Sequence, residues 1–292
     1  MDVGIVIVNY NTRELLRRCL DTVFASTGVQ FRVSVVDNAS TDGSAAMVAE
    51  DFPAVQLISN DENVGYPAAN NQGLRLLGFG KDRQGQASHA LLLNPDTEVP
   101  PDALEKAVAF MDAHPRVGVL GPKLVRPDGS LDLACRRSFP SPEVSFYRLT
   151  GLARLFPHSR RFGRYNLTYL DPDETAEVDS VVGAFMLVRD AAIAEAGLLD
   201  DTFFMYGEDL DWSYRIKRAD WKVYYYPEIR VLHVKRAASR NSARAQIEFW
   251  RAMEIFYHKH YAAETPWWLH HLILGAVRAK FHLTRWQVRG DV

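Results

Sequence analysis

From Val3 to Leu93 the chain alternates short apolar runs with amphipathic segments, and few folds tolerate that rhythm. Val3 to Val8 is β-branched apart from Gly4, and Tyr10-Asn11-Thr12 ends it. Thr12 is placed to cap a helix whose Leu15, Leu16, Cys19, Leu20 and Val23 share one face. VSVVD is a second strand stopping at Asp37, NASTDGSAAMVAEDF turns into a short helix, and VQLIS is a third strand. A helix begins within NVGYPAANNQGLRLLG. HALLL is a fourth strand, halted near Pro95, which has no ladder donor. Short strands without polar alternation are buried on both faces. The expectation is therefore α/β: a Rossmann-like, mostly parallel sheet with helices on both faces.

After about residue 115 the rhythm changes. VGVLGPKLV and SLDLACRRSF flank the turn signal Pro127-Asp128-Gly129 and read as two strands. Residues 156 to 177 are polar and rich in turn formers, as in a free loop. VDSVVGAFMLV is a strand, DLDWSYRIKRA a helix, and KVYYYP and IRVLHV two further strands. Ser242 to Tyr261 is a long helix, and another follows Pro266. No internal repeat and no low-complexity segment is present. The 292 residues, 47% hydrophobic and 24% charged, suffice for a large core with an appended helical part. A net charge of −2 gives no reason to expect a nucleic-acid partner. Cys19 and Cys135 stand far apart, which excludes a disulfide framework or a thiolate zinc cluster and fits a cytoplasmic setting. The N-terminus reads as a first strand rather than a signal peptide, and no stretch matches a membrane-spanning helix.

Open α/β sheets bind ligands beyond the carboxyl ends of their strands. Strand one ends in Asn9-Tyr10-Asn11, strand two in Asp37-Asn38 and strand four in Asn94-Pro95-Asp96. Singly, each residue is a common turn former or helix cap. Together, on neighbouring strands, they outline a crevice. There is no GxGxxG, no Walker A loop, no GxSxG elbow, and no glycine-rich loop of a sugar-phosphate nucleotidyltransferase.

The ordered segments IVIVNYN, VVDNASTDGS, NDENVGYPAANNQG, LLLNPDTEV, VVGAFMLVRD and FFMYGEDLDWSYRIKRADWKVYYYP resemble glycosyltransferase family 2, in particular its bacterial rhamnosyltransferases. The resemblance spans roughly residues 3 to 240. It implies the GT-A fold and transfer of a sugar, with inversion, from a nucleotide diphosphate donor. Residues 1–115 would be the nucleotide-sugar-binding half, 116–240 the acceptor-binding and catalytic half, and 241–292 a C-terminal helical segment. Motif by motif, the resemblance points to Asp37 as the base-recognition carboxylate, with Asn9 and Tyr10 beside the nucleoside. It adds Asn63, Gly65 and Asn70 on the nucleotide side. Asp37 would accept a hydrogen bond from the N3–H of uracil or thymine.

Asn94-Pro95-Asp96 falls where many relatives carry Asp-x-Asp, so Asp96 would hold Mg²⁺ or Mn²⁺ against the two phosphates, with Asn94 replacing the first acid. His233 matches the histidine that completes that site. Arg236, where relatives often have glycine, joins Lys235, Arg240 and Arg244 in a basic run able to meet a diphosphate. In YGEDLDW the resemblance assigns the general base to Asp209, with Glu208 and Asp211 orienting it, touching the acceptor or capping the helix. The implied partners are dTDP-rhamnose and a cell-surface or lipid-linked glycan acceptor. A UDP-hexose or galactofuranose donor is the alternative within the class. A nucleotidyltransferase and a non-catalytic nucleotide- or glycan-binding protein are alternatives outside it. The tail PWWLHHLILGAVRAKFHLTRWQVR joins tryptophans to arginines and has three readings: an interfacial helix on the inner face of the membrane, a helix on the core, or a homodimer contact.

Overall fold

The computed structural model describes residues 1–80, 87–234 and 243–290. Strands β1 (Val3–Asn9), β2 (Phe31–Asp37), β3 (Gln56–Ser59) and β4 (His89–Leu93) alternate with helices α1 (Arg13–Phe24), α2 (Ser44–Asp51) and α3 (Tyr66–Leu76). β5 (Thr97–Glu98), α4 (Ala103–Ala113) and β6 (Val117–Val125) follow. Next come α5 (Pro142–Leu149), α6 (Leu152–Leu155), β7 (Ala176–Val178), β8 (Phe185–Arg189), α7 (Asp190–Ala196), α8 (Glu208–Arg218) and β9 (Lys222–His233). Helices α9 (Ala243–His260) and α10 (Trp267–Gly290) close the chain.

All nine strands join one sheet in the order β3-β2-β1-β4-β8-β6-β9-β5, with β7 also on β9. β1 to β4, β6 and β9 run one way, and β5, β7 and β8 run against them. Every residue of β1 and β4 is buried, as the unbroken apolar runs require of strands covered on both faces. Helix α1 buries Leu15, Leu16, Cys19, Leu20 and Val23, the face that the spacing predicts. Thr12 sits at its N-cap but does not cap it through its side chain. The Thr12 hydroxyl donates to Asn9 Oδ1 (2.6 Å), and Asp42 Oδ2 accepts from the Arg13 N–H (2.8 Å) instead. A cap is worth about 1 kcal/mol, whereas each fully buried Leu or Val contributes roughly 1.5–3 kcal/mol. Packing therefore fixes α1.

The later half departs from the sequence expectation in four places. SLDLACRRSF is not a strand: Leu131 makes a single bridge to Val125, then a 3-10 turn covers Leu133–Cys135, capped by Asp132 Oδ1 on the Ala134 N–H. VDSVVGAFMLV is split, because only Ala176–Val178 and Phe185–Arg189 join the sheet, while Gly183 turns its amide to Asp209. KVYYYP and IRVLHV are one strand, and Pro227 is accommodated where the register against β6 shifts between Pro122 and Lys123. The polar stretch from 156 is tethered, with Arg136 donating to Leu170 O (2.8 Å) and Asp171 O (2.6 Å).

Helix α10 packs on α9 through Leu274, Val277 and Thr284. Its Trp268, Leu272, Leu283 and Trp286 lie on the opposite side, 53–74% exposed. Among the described residues, no helix is long and apolar enough to cross a membrane. Both cysteines are free and buried, and burial pushes the Cys135 thiol up to about 11 and that of Cys19 to about 12.

Candidate active site

The carboxyl ends of β1 and β2 form a closed polar corner. Asn9 Nδ2 donates to Asp37 Oδ1 (2.8 Å) and Ser40 Oγ (3.0 Å), and the Ser40 N–H donates to Asp37 Oδ2 (2.8 Å). Asp37 thus makes the turn bond of an ordinary strand end, and it is only 3% exposed. Tyr10, next to it, is 51% exposed. Asn63 Oδ1 accepts from the Gly65 N–H (3.0 Å), and Asn38 Nδ2 donates to Gly65 O (3.2 Å). Gly65 has φ 89°, and a Cβ there would stand 2.7 Å from Phe204 O, so only glycine fits this close approach. Asn70 donates back to Tyr66 O (2.8 Å) within α3.

After Pro95 the chain turns into β5, whose Thr97 pairs with His233 of β9. That ladder brings Asp96 Oδ1 within 3.3 Å of His233 Nε2. On the other side of the ring, His233 Nδ1 lies 3.0 Å from Asp132 Oδ2. Burial opposes a charged imidazole, but hydrogen bonds to Asp132 and Asp96 outweigh it and raise the His233 pKa to about 8.

A third element completes the crevice. Helix α8 opens with Glu208, Asp209 and Asp211, the acids that a positive helix end stabilises. Asp209 Oδ2 accepts from Arg137 Nη2 (2.7 Å) and the Gly183 N–H (3.1 Å), and Oδ1 accepts from the Leu210 N–H (2.7 Å). Tyr66 links the two carboxylate centres: its hydroxyl lies 3.1 Å from both Asn94 Oδ1 and Gly183 O. Burial raises the Tyr66 pKa, and the charges of Glu208, Asp209 and Asp96 add to that rise.

Residues 4–170 match the family model for glycosyl transferase family 2, more than half of the chain. The chain belongs to glycosyltransferase family 2. A second model, glycosyl transferase family group 2, matches residues 89–287. The N-acetylglucosaminyl-diphospho-decaprenol L-rhamnosyltransferase of Mycobacterium tuberculosis is 28% identical over 96% of this chain and 91% of its own. The low-salt glycan biosynthesis hexosyltransferase Agl10 of Haloferax volcanii is 25% identical over 80% of this chain and 67% of its own. Among solved structures, the mannosyltransferase PcManGT of Pyrobaculum calidifontis, in complex with GDP-Man and Mn²⁺, superposes with a TM-score of 0.59 at 19% identity. S. aureus TarS 1-349 does so at 0.58 and 15%. Each pairing covers 98% of this chain and 72% of the other. The fold is GT-A, and the protein is a glycosyltransferase.

In this family 2 glycosyltransferase, Tyr66 touches Asn94 and Gly183, Gly183 in turn holds Asp209, and Asp96 pairs with His233. Asn9 and Asp37 meet at the β1–β2 corner, and Asn63 and Gly65 are tied to it through Asn38. Asp211 is not brought to either group. Its carboxylate faces helix α9, bound to His260 Nε2 (2.7 Å) and Lys259 Nζ (2.8 Å), and to Arg215 Nε (2.8 Å) of its own helix. Burial raises the Asp211 pKa, but these donors prevail and bring it down to about 2. Arg236 lies outside the described residues, as do Lys235 and Arg240. Arg244 rests its guanidinium 4.1 Å from the Phe204 ring centre.

Sequence reasoning missed Tyr66, Asp132 and Arg137. The Arg-Arg pair inside an apolar stretch, at 136 and 137, was the available signal, because a buried arginine demands a partner. Among the described residues no cluster of three or more His, Cys, Asp or Glu forms a complete metal cage. Asp96 and His233 nonetheless fit a divalent ion that takes its remaining ligands from phosphates and water, and Asp132 on Nδ1 is the usual second partner of a ligating imidazole.

Proposed function

We propose that this glycosyltransferase moves L-rhamnose, with inversion, from dTDP-rhamnose to a lipid-linked or cell-surface glycan. The Tyr66 hydroxyl carries the mechanism: it lies 3.1 Å from both Asn94 Oδ1, two residues before Asp96, and the carbonyl of Gly183, whose amide holds Asp209, and so links the metal-side turn to the candidate base. The relationship to the mycobacterial rhamnosyltransferase over nearly all of both chains supports the sugar. Residues 1–115 hold the donor, 116–240 the acceptor and the catalytic groups, and 241–292 form a helical appendage.

Asp209 accepts the proton of the attacking hydroxyl, and the oxygen displaces the nucleotide diphosphate in one in-line step. Arg137 and the Gly183 amide hold the carboxylate toward the acceptor, at hydrogen-bond distances of 2.7 and 3.1 Å. Asp96 and His233 would hold Mg²⁺ or Mn²⁺, and the bound ion would supply Lewis-acid neutralisation of the leaving diphosphate. Asp37 reads the pyrimidine, Asn9, Tyr10, Asn63, Gly65 and Asn70 shape the nucleoside side, and Asn94 holds Tyr66. The exposed face of α10, with Trp268, Leu272, Leu283 and Trp286, rests on the inner membrane surface. Co-sedimentation with anionic vesicles, reduced in Trp268→Ser, tests that contact.

Calorimetric titration with dTDP-rhamnose, UDP-sugars and GDP-sugars, each with and without Mg²⁺, tests the whole reading. Metal-dependent binding of dTDP-rhamnose is expected. Binding confined to a purine nucleotide would remove the role given to Asp37, and tighter binding of a UDP-sugar would replace the donor.

A further inference from the structure

The turn into α8 is conformationally costly. Tyr206 (φ 68°) and Gly207 (φ 82°) both occupy the left-handed region, which a tyrosine adopts only where its surroundings impose it. The surroundings are an apolar pocket. Tyr206, Gly207 and Leu210 form one wall, Pro140 and Leu149 a second, and Phe249 and Phe256 of α9 a third. A Cβ on Gly207 would stand 3.1 Å from the Phe203 ring and 3.4 Å from Ala252 Cβ, so glycine here lets helices α8 and α9 close the pocket. Gly207 and Leu210 bracket Glu208 and Asp209 in sequence, while Asp209 itself points away, to Gly183. The pocket therefore flanks the candidate base without exposing a carboxylate to its apolar interior.

At the mouth, Leu149 is 52% exposed, and Phe146, one turn earlier on α5, is 56% exposed. Arg148 stands at the edge, its guanidinium 4.2 Å from the Tyr165 ring centre. A nucleotide sugar, most of whose exterior is hydroxyl and phosphate, has only its base and a methyl or two to bury in such walls. An apolar chain carrying an anionic head matches both the walls and the arginine.

We infer that the pocket between α5, α8 and α9 receives the first isoprenoid units of a prenyl-diphosphate-linked acceptor. This rests on the reading of the acceptor as lipid-linked. Chain binding here would hold the acceptor sugar beside Asp209, and it would make the length of the apolar chain a determinant of acceptor choice.

Farnesyl diphosphate is the probe, titrated into the whole chain with inorganic diphosphate as its control. Saturable binding at least about tenfold tighter than the control is expected, the scale on which apolar pockets discriminate. Ala252→Phe fills the pocket, and Leu149→Glu places a charge at its mouth on a side chain already half in solvent. Each should weaken farnesyl diphosphate about tenfold or more, again on the scale of apolar discrimination, and leave dTDP binding unchanged. Leu149→Glu keeps the test valid should Ala252→Phe fail to fold. Trp286→Ser, on the exposed face of α10, should bind the probe as the wild type does. Binding no tighter than inorganic diphosphate, or unchanged in the pocket variants, or lost in Trp286→Ser, overturns the inference. Absence of dTDP-rhamnose binding beside intact farnesyl diphosphate binding would instead strike the donor reading alone.

Discussion

The two ends of the crevice are built on opposite principles. At the corner proposed to face the nucleotide, Asn9, Asp37, Ser40 and Thr12 satisfy one another at 2.6–3.0 Å. At the α8 end, Glu208 Oε2 and Arg137 Nε are buried without a hydrogen-bond partner among the described residues. Orphaned buried polar atoms are uncommon, because each forfeits roughly 1–3 kcal/mol of solvation. The first corner is a finished frame. The second holds unmet hydrogen-bonding capacity, and on the proposed function this is where charge develops during transfer, which is how a preorganised site differs from a merely stable one.

The largest break in this contrast comes from Asp209→Asn. If the α8 end performs the transfer, turnover should fall by about 10²–10⁴-fold, the usual range for a lost general base. Donor affinity, measured by calorimetry, should stay at the wild-type value. Wild-type turnover would remove Asp209 as the base. Arg137→Met should act on stability instead. It leaves the Asp209 carboxylate buried and unpaired, an outcome that typically costs about 3–5 kcal/mol in urea unfolding. A loss under 1 kcal/mol would mean that water reaches the pair and that the end is less dry than its 5–7% exposure indicates.

At the finished corner, Asp37→Asn should cost roughly 1–3 kcal/mol, because one face of the new amide must turn its NH₂ toward a donor, either Asn9 Nδ2 or the Ser40 N–H. It should also weaken dTDP binding, read by calorimetry. Unchanged stability would show that the corner rearranges freely, and the contrast with the α8 end would fail.

Much of this contrast was legible in the sequence, and what was not has a physical reason. The alternation from Val3 to Leu93 gives the parallel strands, because burial on both faces leaves no other use for such runs. Asp96 and His233 are singled out only by the family resemblance, since each alone reads as a strand-end turn residue. Their meeting depends on the two-residue strand β5 pairing with β9, a ladder too short to leave a periodic signal. Arg137 finds Asp209 72 residues away, and Asp132 finds His233 101 residues away, so neither pairing has a local signature. The direction of Asp211 was not legible, because an acid in the first turn of a helix is favourable whichever way it points. Only the arrival of α9, with Lys259 and His260, decides its direction. That pairing also sets an acid limit. The Asp211 pKa is lowered from 3.8 to about 2, so its contribution to folding is complete above about pH 4. It is lost as pH falls toward 2, about 2 kcal/mol in all. Asp211→Asn should flatten that part of the stability profile.

The smallest effect sharpens the comparison most, since it concerns Glu208, a buried acid whose Oε2 has no hydrogen-bond partner among the described residues. Burial, together with the neighbouring Asp209 charge, raises the Glu208 pKa above its ordinary 4.5. The sign is then opposite to that of Asp211. The folded state keeps the proton that the unfolded chain releases, so Glu208 lowers stability as pH rises through and above 4.5. Glu208→Gln removes the titration, loses no hydrogen bond at Oε2 and keeps the shape. Its urea midpoint should match the wild type near pH 4 and exceed it at pH 8. If the variant is less stable at pH 8, Glu208 is ionised and held by an unseen partner, and the α8 end is as finished as the nucleotide corner. If it is more stable yet transfers sugar more slowly, the strain at Glu208 is retained for the acceptor that comes to occupy it.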